Sequence, residues 1–139
     1  MRILSIDYGK KRIGLAITDN SKIIAYPLKV ILAKDDLKKT AMFLLEEINE
    51  YINEIDTILI GLPLMLSGRE GAMAIEIKEF ASVLKELTNK KIELIDERLT
   101  SAQAEKDLKN TFKLNRKKRA EKSDTMSATI ILKHYLDRI

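Results

Sequence analysis

The run Ile3-Leu4-Ser5-Ile6-Asp7 constrains this chain most: a short apolar segment that ends on an acid. A basic connection, Gly9-Lys10-Lys11-Arg12, leads from it into a second β-rich run over residues 13–18. Two such runs around a short glycine-bearing connection read as a hairpin. A carboxylate at the end of an apolar strand is costly to bury unless it is paired or used. Asp7 is therefore a candidate functional residue, and the question becomes which other groups the fold brings to it.

Residues 23–32 continue the β pattern, and Pro27 within them removes a ladder donor, which places this strand at a sheet edge. From Asp35 the period changes. Leu37, Ala41, Leu44, Ile48, Tyr51, Ile52 and Ile55 recur at three- and four-residue spacing. That predicts an amphipathic helix of about five turns, with Asp35 and Asp36 at its positive N-terminus. Residues 57–63 are almost continuously apolar between two helical patterns, as in a strand buried on both faces of a parallel sheet. A glycine-bearing loop over 64–71 leads to a second helix with the stripe Met73, Ile77, Phe80, Ala81, Leu84 and Leu87, closed by Asn89 and Lys90. Residues 91–97 form a fifth strand, apolar and then acidic. Residues 100–103 make a capping box that opens a third helix through Ala104, Leu108 and Phe112. A basic segment follows as a loop. Ser123 caps a last helix, with Asp124 in its first turn. Asp124, Ala128, Ile131 and Tyr135 share the face that docks on the sheet. The expected architecture is one α/β domain over residues 1–139. Its five-stranded mixed sheet has three antiparallel strands followed by parallel βαβ units, with helices on both faces.

Open α/β sheets bind ligands beyond the carboxyl ends of their strands. Asp7 ends the first strand, Glu97 ends the fifth, and Asp124 begins a helix that must dock on the same sheet. Asp96 competes with Glu97, and alternation lets only one of the two face the site. Converging carboxylates repel, and a proton or a divalent cation among them relieves this. The chain has no cysteine and one histidine, His134. A metal would then be held by oxygen, which favours magnesium, manganese or calcium over zinc. Two such cations can activate a water and stabilise the leaving oxygen of a phosphodiester. For any one of these acids alone, a cap or a solvated turn is the plainer reading. Tyr8, Tyr26 and Tyr135 read as core edges and His134 as a surface residue. Gly61, Gly68 and Gly71 could cradle a phosphate, although no P-loop or dinucleotide fingerprint accompanies them.

The net charge is +4, but its distribution says more. Residues 109–122 carry seven cations against one acid, Glu121, so this segment is +6 and the remainder −2. A focused basic segment on a near-neutral body suggests a nucleic-acid partner, with a solvated charged loop as the bland alternative. No apolar run approaches the roughly 18 residues that span a membrane. The acid and cations near the N-terminus do not suit a signal peptide. A cytoplasmic protein without a membrane partner is expected, and a chain free of cysteine is compatible with that compartment.

Several segments resemble one known family in the right order. They are Ile6-Asp-Tyr-Gly-Lys-Lys-Arg-Ile-Gly-Leu-Ala16, Gly61-Leu-Pro-Leu64 with Gly68 and Gly71, Asp96-Glu-Arg-Leu-Thr100, and Asp124 with the Ala-Thr-Ile-Ile-Leu-Lys-His-Tyr-Leu-Asp tail. Together they resemble the YqgF/RuvX family, an RNase H-like family long described as Holliday junction resolvases and now assigned to processing of pre-16S rRNA. The resemblance implies a metal-dependent endonuclease of structured RNA, with Asp7, Glu97 and Asp124 holding two magnesium or manganese ions. It further implies that Arg12, Arg98 and the basic run Arg116, Lys117, Lys118 and Arg119 bind the phosphate backbone. Lys10 and Lys11 would add salt-dependent affinity. Two departures stand out. Met65 occupies a position where the family usually has asparagine, and a glycine common before the basic segment is absent. A resolvase of branched DNA would keep the chemistry and predict a stable homodimer, whereas the RNA reading is open to a monomer or a homodimer. A nucleic-acid-binding domain with a relic site, and an actin-like kinase fragment, are the other rivals.

Overall fold

The structure is a computed structural model. It describes residues 1–65, 67–97 and 116–139, the stretch 116–123 by its backbone alone. β1 (Arg2–Asp7), β2 (Arg12–Thr18) and β3 (Ala25–Leu32) form an antiparallel meander. β4 (Ile55–Leu62) pairs in parallel with β1, and β5 (Lys91–Asp96) in parallel with β4. The strand order is β3-β2-β1-β4-β5, so β1, which carries Asp7, lies at the centre. β3 lies at an edge, as Pro27 requires. The ladder there passes from Leu15–Lys29 to Ala16–Pro27, leaving Leu28 as a bulge beside the missing donor. β4 is buried along its length except at Asp56, as expected for a strand covered on both faces.

Two apolar clusters lie on opposite faces of the sheet. Leu4, Ile6, Ile58 and Ile60 meet α1 (Leu37–Glu47) and α2 (Ala72–Thr88) through Leu44, Ile77, Phe80 and Leu84. Ile3, Ala16, Leu59 and Ile95 meet α3 (Arg116–Arg138) through Ala128, Ile131 and Leu132. Strand side chains alternate, so Ile3, Ser5 and Asp7 belong to the α3 face. Beside Ile3, Leu59 and Ile95, several positions on this face are small, namely Ser5, Gly14, Ala16 and Gly61, and α3 itself buries the small Ser127 and Ala128. This allows a close approach of helix to sheet.

Helix boundaries differ from expectation in two places. α1 stops at Glu47 instead of running on to residue 55. At the C-cap, Ile48 leaves helical geometry (φ −107°, ψ 14°) while its N–H still donates to the Leu44 carbonyl at 3.1 Å. The chain continues in turns, with Tyr51 N–H donating to the Ile48 carbonyl at 2.9 Å, and then in a short 3₁₀ helix, Ile52–Glu54. Ile48 and Ile55 stay fully buried, so the apolar spacing survives without a continuous helix. The start of α3 is the second correction. It begins at Arg116, so the later part of the basic segment is helix and not loop, and Ser123 and Asp124 are interior positions and not a cap and a first turn. Arg, Lys, Ala and Glu favour helix, and residues 116–122 contain little else. The expected third helix over 100–112 and the basic residues before Arg116 lie outside the described residues. Among the described residues, no helix is long and apolar enough to cross a membrane.

Candidate functional site

Asp7 is only 4% exposed, although it ends its strand. Its antiparallel partner on β2 is Gly14. On its other side, one residue beyond the Ile6–Ile60 pair, β4 carries Gly61. Both glycines leave room that an acid occupies. A Cβ built on Gly14 would run into the main-chain carbonyl of Asp124 and stand 3.0 Å from the Asp124 Cβ. A Cβ on Gly61 would stand 2.5 Å from Glu97 Oε1 and 2.7 Å from Ile131 Cδ1. Neighbouring strands are about 4.8 Å apart. Asp124, on α3, therefore lies over β2 and Glu97 over β4, one on each side of Asp7 on β1. Of the two adjacent acids, it is Glu97 that lies against Gly61. Ile95, two residues before it, already packs in the α3 cluster. The sequence signal for Gly14 is a glycine inside a β-rich run, which often marks close approach by another group. The expectation drawn from sequence did not single it out.

Asp124 is not poised for a metal in this arrangement. Its Oδ2 accepts from Arg12 Nε at 3.0 Å, with the Asp124 side chain 15% exposed and that of Arg12 46%. Among the described residues, no group of three or more histidine or acidic side chains is arranged to hold a metal ion. The fold thus gathers the acids without closing them into a coordination sphere. Their chemistry still suits a hard cation: donors are oxygen only and the central acid is buried. Lys10 and Lys11 are exposed in the connection between β1 and β2, beside Arg12 and on the rim where Asp7 lies. Arg98 and the side chains of Arg116, Lys117, Lys118 and Arg119 lie outside the described residues.

The other candidates fall into structural roles. Tyr8 is buried, donates to Glu76 Oε2 at 2.5 Å, and packs on Phe80 with ring centroids 4.8 Å apart. Burial first, then the hydrogen bond and the charge of Glu76, hold its hydroxyl well above the usual tyrosine pKa. It ties β1 to α2 and offers no face for a base. Tyr135 packs against the α3 cluster, as a core edge should, and burial first, then the neighbouring Glu93, holds its hydroxyl above the usual tyrosine pKa. Tyr26 is 47% exposed on the edge strand, more open than a core edge. His134 is half-buried on α3. Gly61, Gly68 and Gly71 serve separate purposes rather than one phosphate cradle. Gly61 makes room for Glu97, Gly68 takes a left-handed turn with φ 88°, and Gly71 stands before α2. The loop at Met65 is closed by the main chain: Met65 N–H donates to the Arg69 carbonyl at 2.9 Å and Gly68 N–H to that of Met65 at 2.8 Å. No asparagine is needed for that closure.

Residues 1–138 match the profile of a family described as RuvX, Holliday junction resolvase. The chain belongs to the RuvX family. Among its RuvX relatives, a protein of Protochlamydia amoebophila is 49% identical over 140 residues, covering 98% of this chain and 93% of the relative. One from Sulfurihydrogenibium sp. is 45% identical over 142 residues, covering 99% and 91%. Both are named as candidate pre-16S rRNA nucleases. Thermus thermophilus RuvC, solved with a Holliday junction substrate, shares the fold of this RuvX chain with a TM-score of 0.57 and 11% identity. That match covers 99% of this chain and 94% of the other. The RuvX chain is RNase H-like in fold, with the mixed sheet in the expected order.

Proposed function

We propose that this protein is a metal-dependent endonuclease of structured RNA that trims the 5′ end of the pre-16S rRNA during ribosome biogenesis in the cytoplasm. The observation that carries the reading is the pair of glycines flanking Asp7, each giving its Cβ volume to another acid. Like charges are rarely gathered at a buried strand end without a cation to relieve them. Asp7, Glu97 and Asp124 would hold two magnesium or manganese ions, with Asp7 between the other two. Such ions, when bound, help ionise the attacking water and neutralise charge on the leaving oxygen of a phosphodiester. The chain's own part is to place and orient. The sheet fixes Asp7, β5 and α3 set the flanking acids, and Lys10, Lys11 and Arg12 receive phosphates at the rim. Arg98 and Arg116, Lys117, Lys118 and Arg119 would extend that surface along the backbone, giving affinity with little sequence preference.

The relatives at 45% and 49% identity favour RNA as the substrate. The family description favours the second reading, a four-way DNA junction cut by a homodimer. Incubation with pre-16S rRNA and with a synthetic four-way junction, each with and without Mn²⁺, separates the two. The expected result is Mn²⁺-dependent cleavage of the RNA near its mature 5′ end and an intact junction. Symmetric cutting of the junction alone would favour the resolvase, and no cutting of either would overturn the nuclease reading.

A further inference from the structure

The contact between Arg12 and Asp124 joins a cation of the substrate-facing rim to an acid beside Asp7. We propose that Arg12 is the exchangeable partner of Asp124: it neutralises the carboxylate until a divalent cation arrives, and then carries its charge to a phosphate of the nucleic acid. This inference rests on the nuclease reading above and adds an order of events to it. Asp124 lies on the docked face of α3 and close to the buried Asp7, so an unneutralised carboxylate there would be costly. Arg12 meets that need from outside. Its side chain is nearly half exposed and reaches Asp124 Oδ2 through Nε, a half-solvated contact of the weak and readily exchanged kind.

The backbone allows the swap. Arg12 opens β2, where its main chain pairs with Leu32, so the side chain can turn outward without loss of a strand bond. A guanidinium suits phosphate as well as it suits carboxylate. The consequence is coupling. A cation at Asp124 releases Arg12 toward the nucleic acid, and a phosphate on Arg12 vacates Asp124, so each ligand strengthens the other by the same factor.

The test is binding of Mn²⁺ alone, followed by calorimetry on the intact protein without nucleic acid. Arg12→Ala is expected to bind Mn²⁺ about fivefold more tightly than the parent, the scale of a lost half-exposed ion pair. Lys11→Ala removes the same charge from the same turn without touching Asp124, and its affinity should change by less than about twofold. In an Asp124→Asn background, Arg12→Ala should give no gain. Circular dichroism checks folding, and Arg12→Gln serves if Arg12→Ala is unstable. Equal gains from Lys11→Ala and Arg12→Ala, or no gain from either, would overturn the exchange while Mn²⁺ binding lost in Asp7→Asn still upheld the nuclease site. Absence of Mn²⁺ binding in every variant would overturn both.

Discussion

At the residue scale, Gly14 and Gly61 do the same thing by different means, and substitution separates them. The Cβ of Gly14→Ala meets a main-chain carbonyl of α3, so the whole helix must shift. A loss of about 2–3 kcal/mol is expected from urea unfolding, as for overpacked cores. The Cβ of Gly61→Ala meets the ends of two flexible side chains, Glu97 and Ile131. Its stability loss should be nearer 1 kcal/mol, because those ends can yield. The displaced Glu97 should still cost cleavage about a hundredfold, the scale of a misplaced catalytic group. Tyr8 carries the pH dependence. Its folded pKa is raised, so the folded state keeps a proton that the unfolded chain loses above about pH 10. The hydrogen bond to Glu76 therefore stabilises fully below that pH and is lost as pH rises. Tyr8→Phe should be less stable near neutrality and should fall less steeply than the parent from pH 10 upward, read by denaturant midpoints across that range.

At the element scale, side-chain period was legible and helix ends were not. Residues 37–55 carry one apolar stripe, and the stripe is real, since Leu44, Ile48 and Ile55 are all buried. Periodicity cannot say that a helix becomes turns and a 3₁₀ segment along the same stripe. α3 failed in the opposite sense. Ser123 looks like a cap only if helix-forming residues 116–122 are set aside because they are charged. Asp36, expected only as an acid at the positive end of the helix, caps α1 and accepts from Lys39 N–H at 2.7 Å. Asp36→Ala is expected to cost about 1 kcal/mol in thermal or denaturant unfolding, with cleavage unchanged, because α1 lies on the face away from Asp7.

At the scale of the whole molecule, the mix of three antiparallel strands followed by parallel ones was legible from pattern, because strand alternation and docked helix faces are local signals with global consequences. The ion pair between Arg12 and Asp124 was not, since 112 residues separate the two and nothing local marks the contact. Charge placement belongs to this scale as well. If the basic segment tracks a phosphate backbone, replacing Arg116, Lys117, Lys118 and Arg119 with alanine should weaken RNA binding at all sequences. It should also lower the slope of log affinity against log salt by about 3, with helix content retained. Filter binding over a salt series reads both. Asp7 is proposed to organise a cation site that cuts RNA, and Asp7→Asn removes its charge with little change in shape. Cleavage of pre-16S rRNA with Mn²⁺ should fall by at least about a hundredfold, while melting and RNA binding stay close to those of the parent. An Asp7→Asn protein that folds, binds and still cuts at the parent's rate would contradict that role for Asp7.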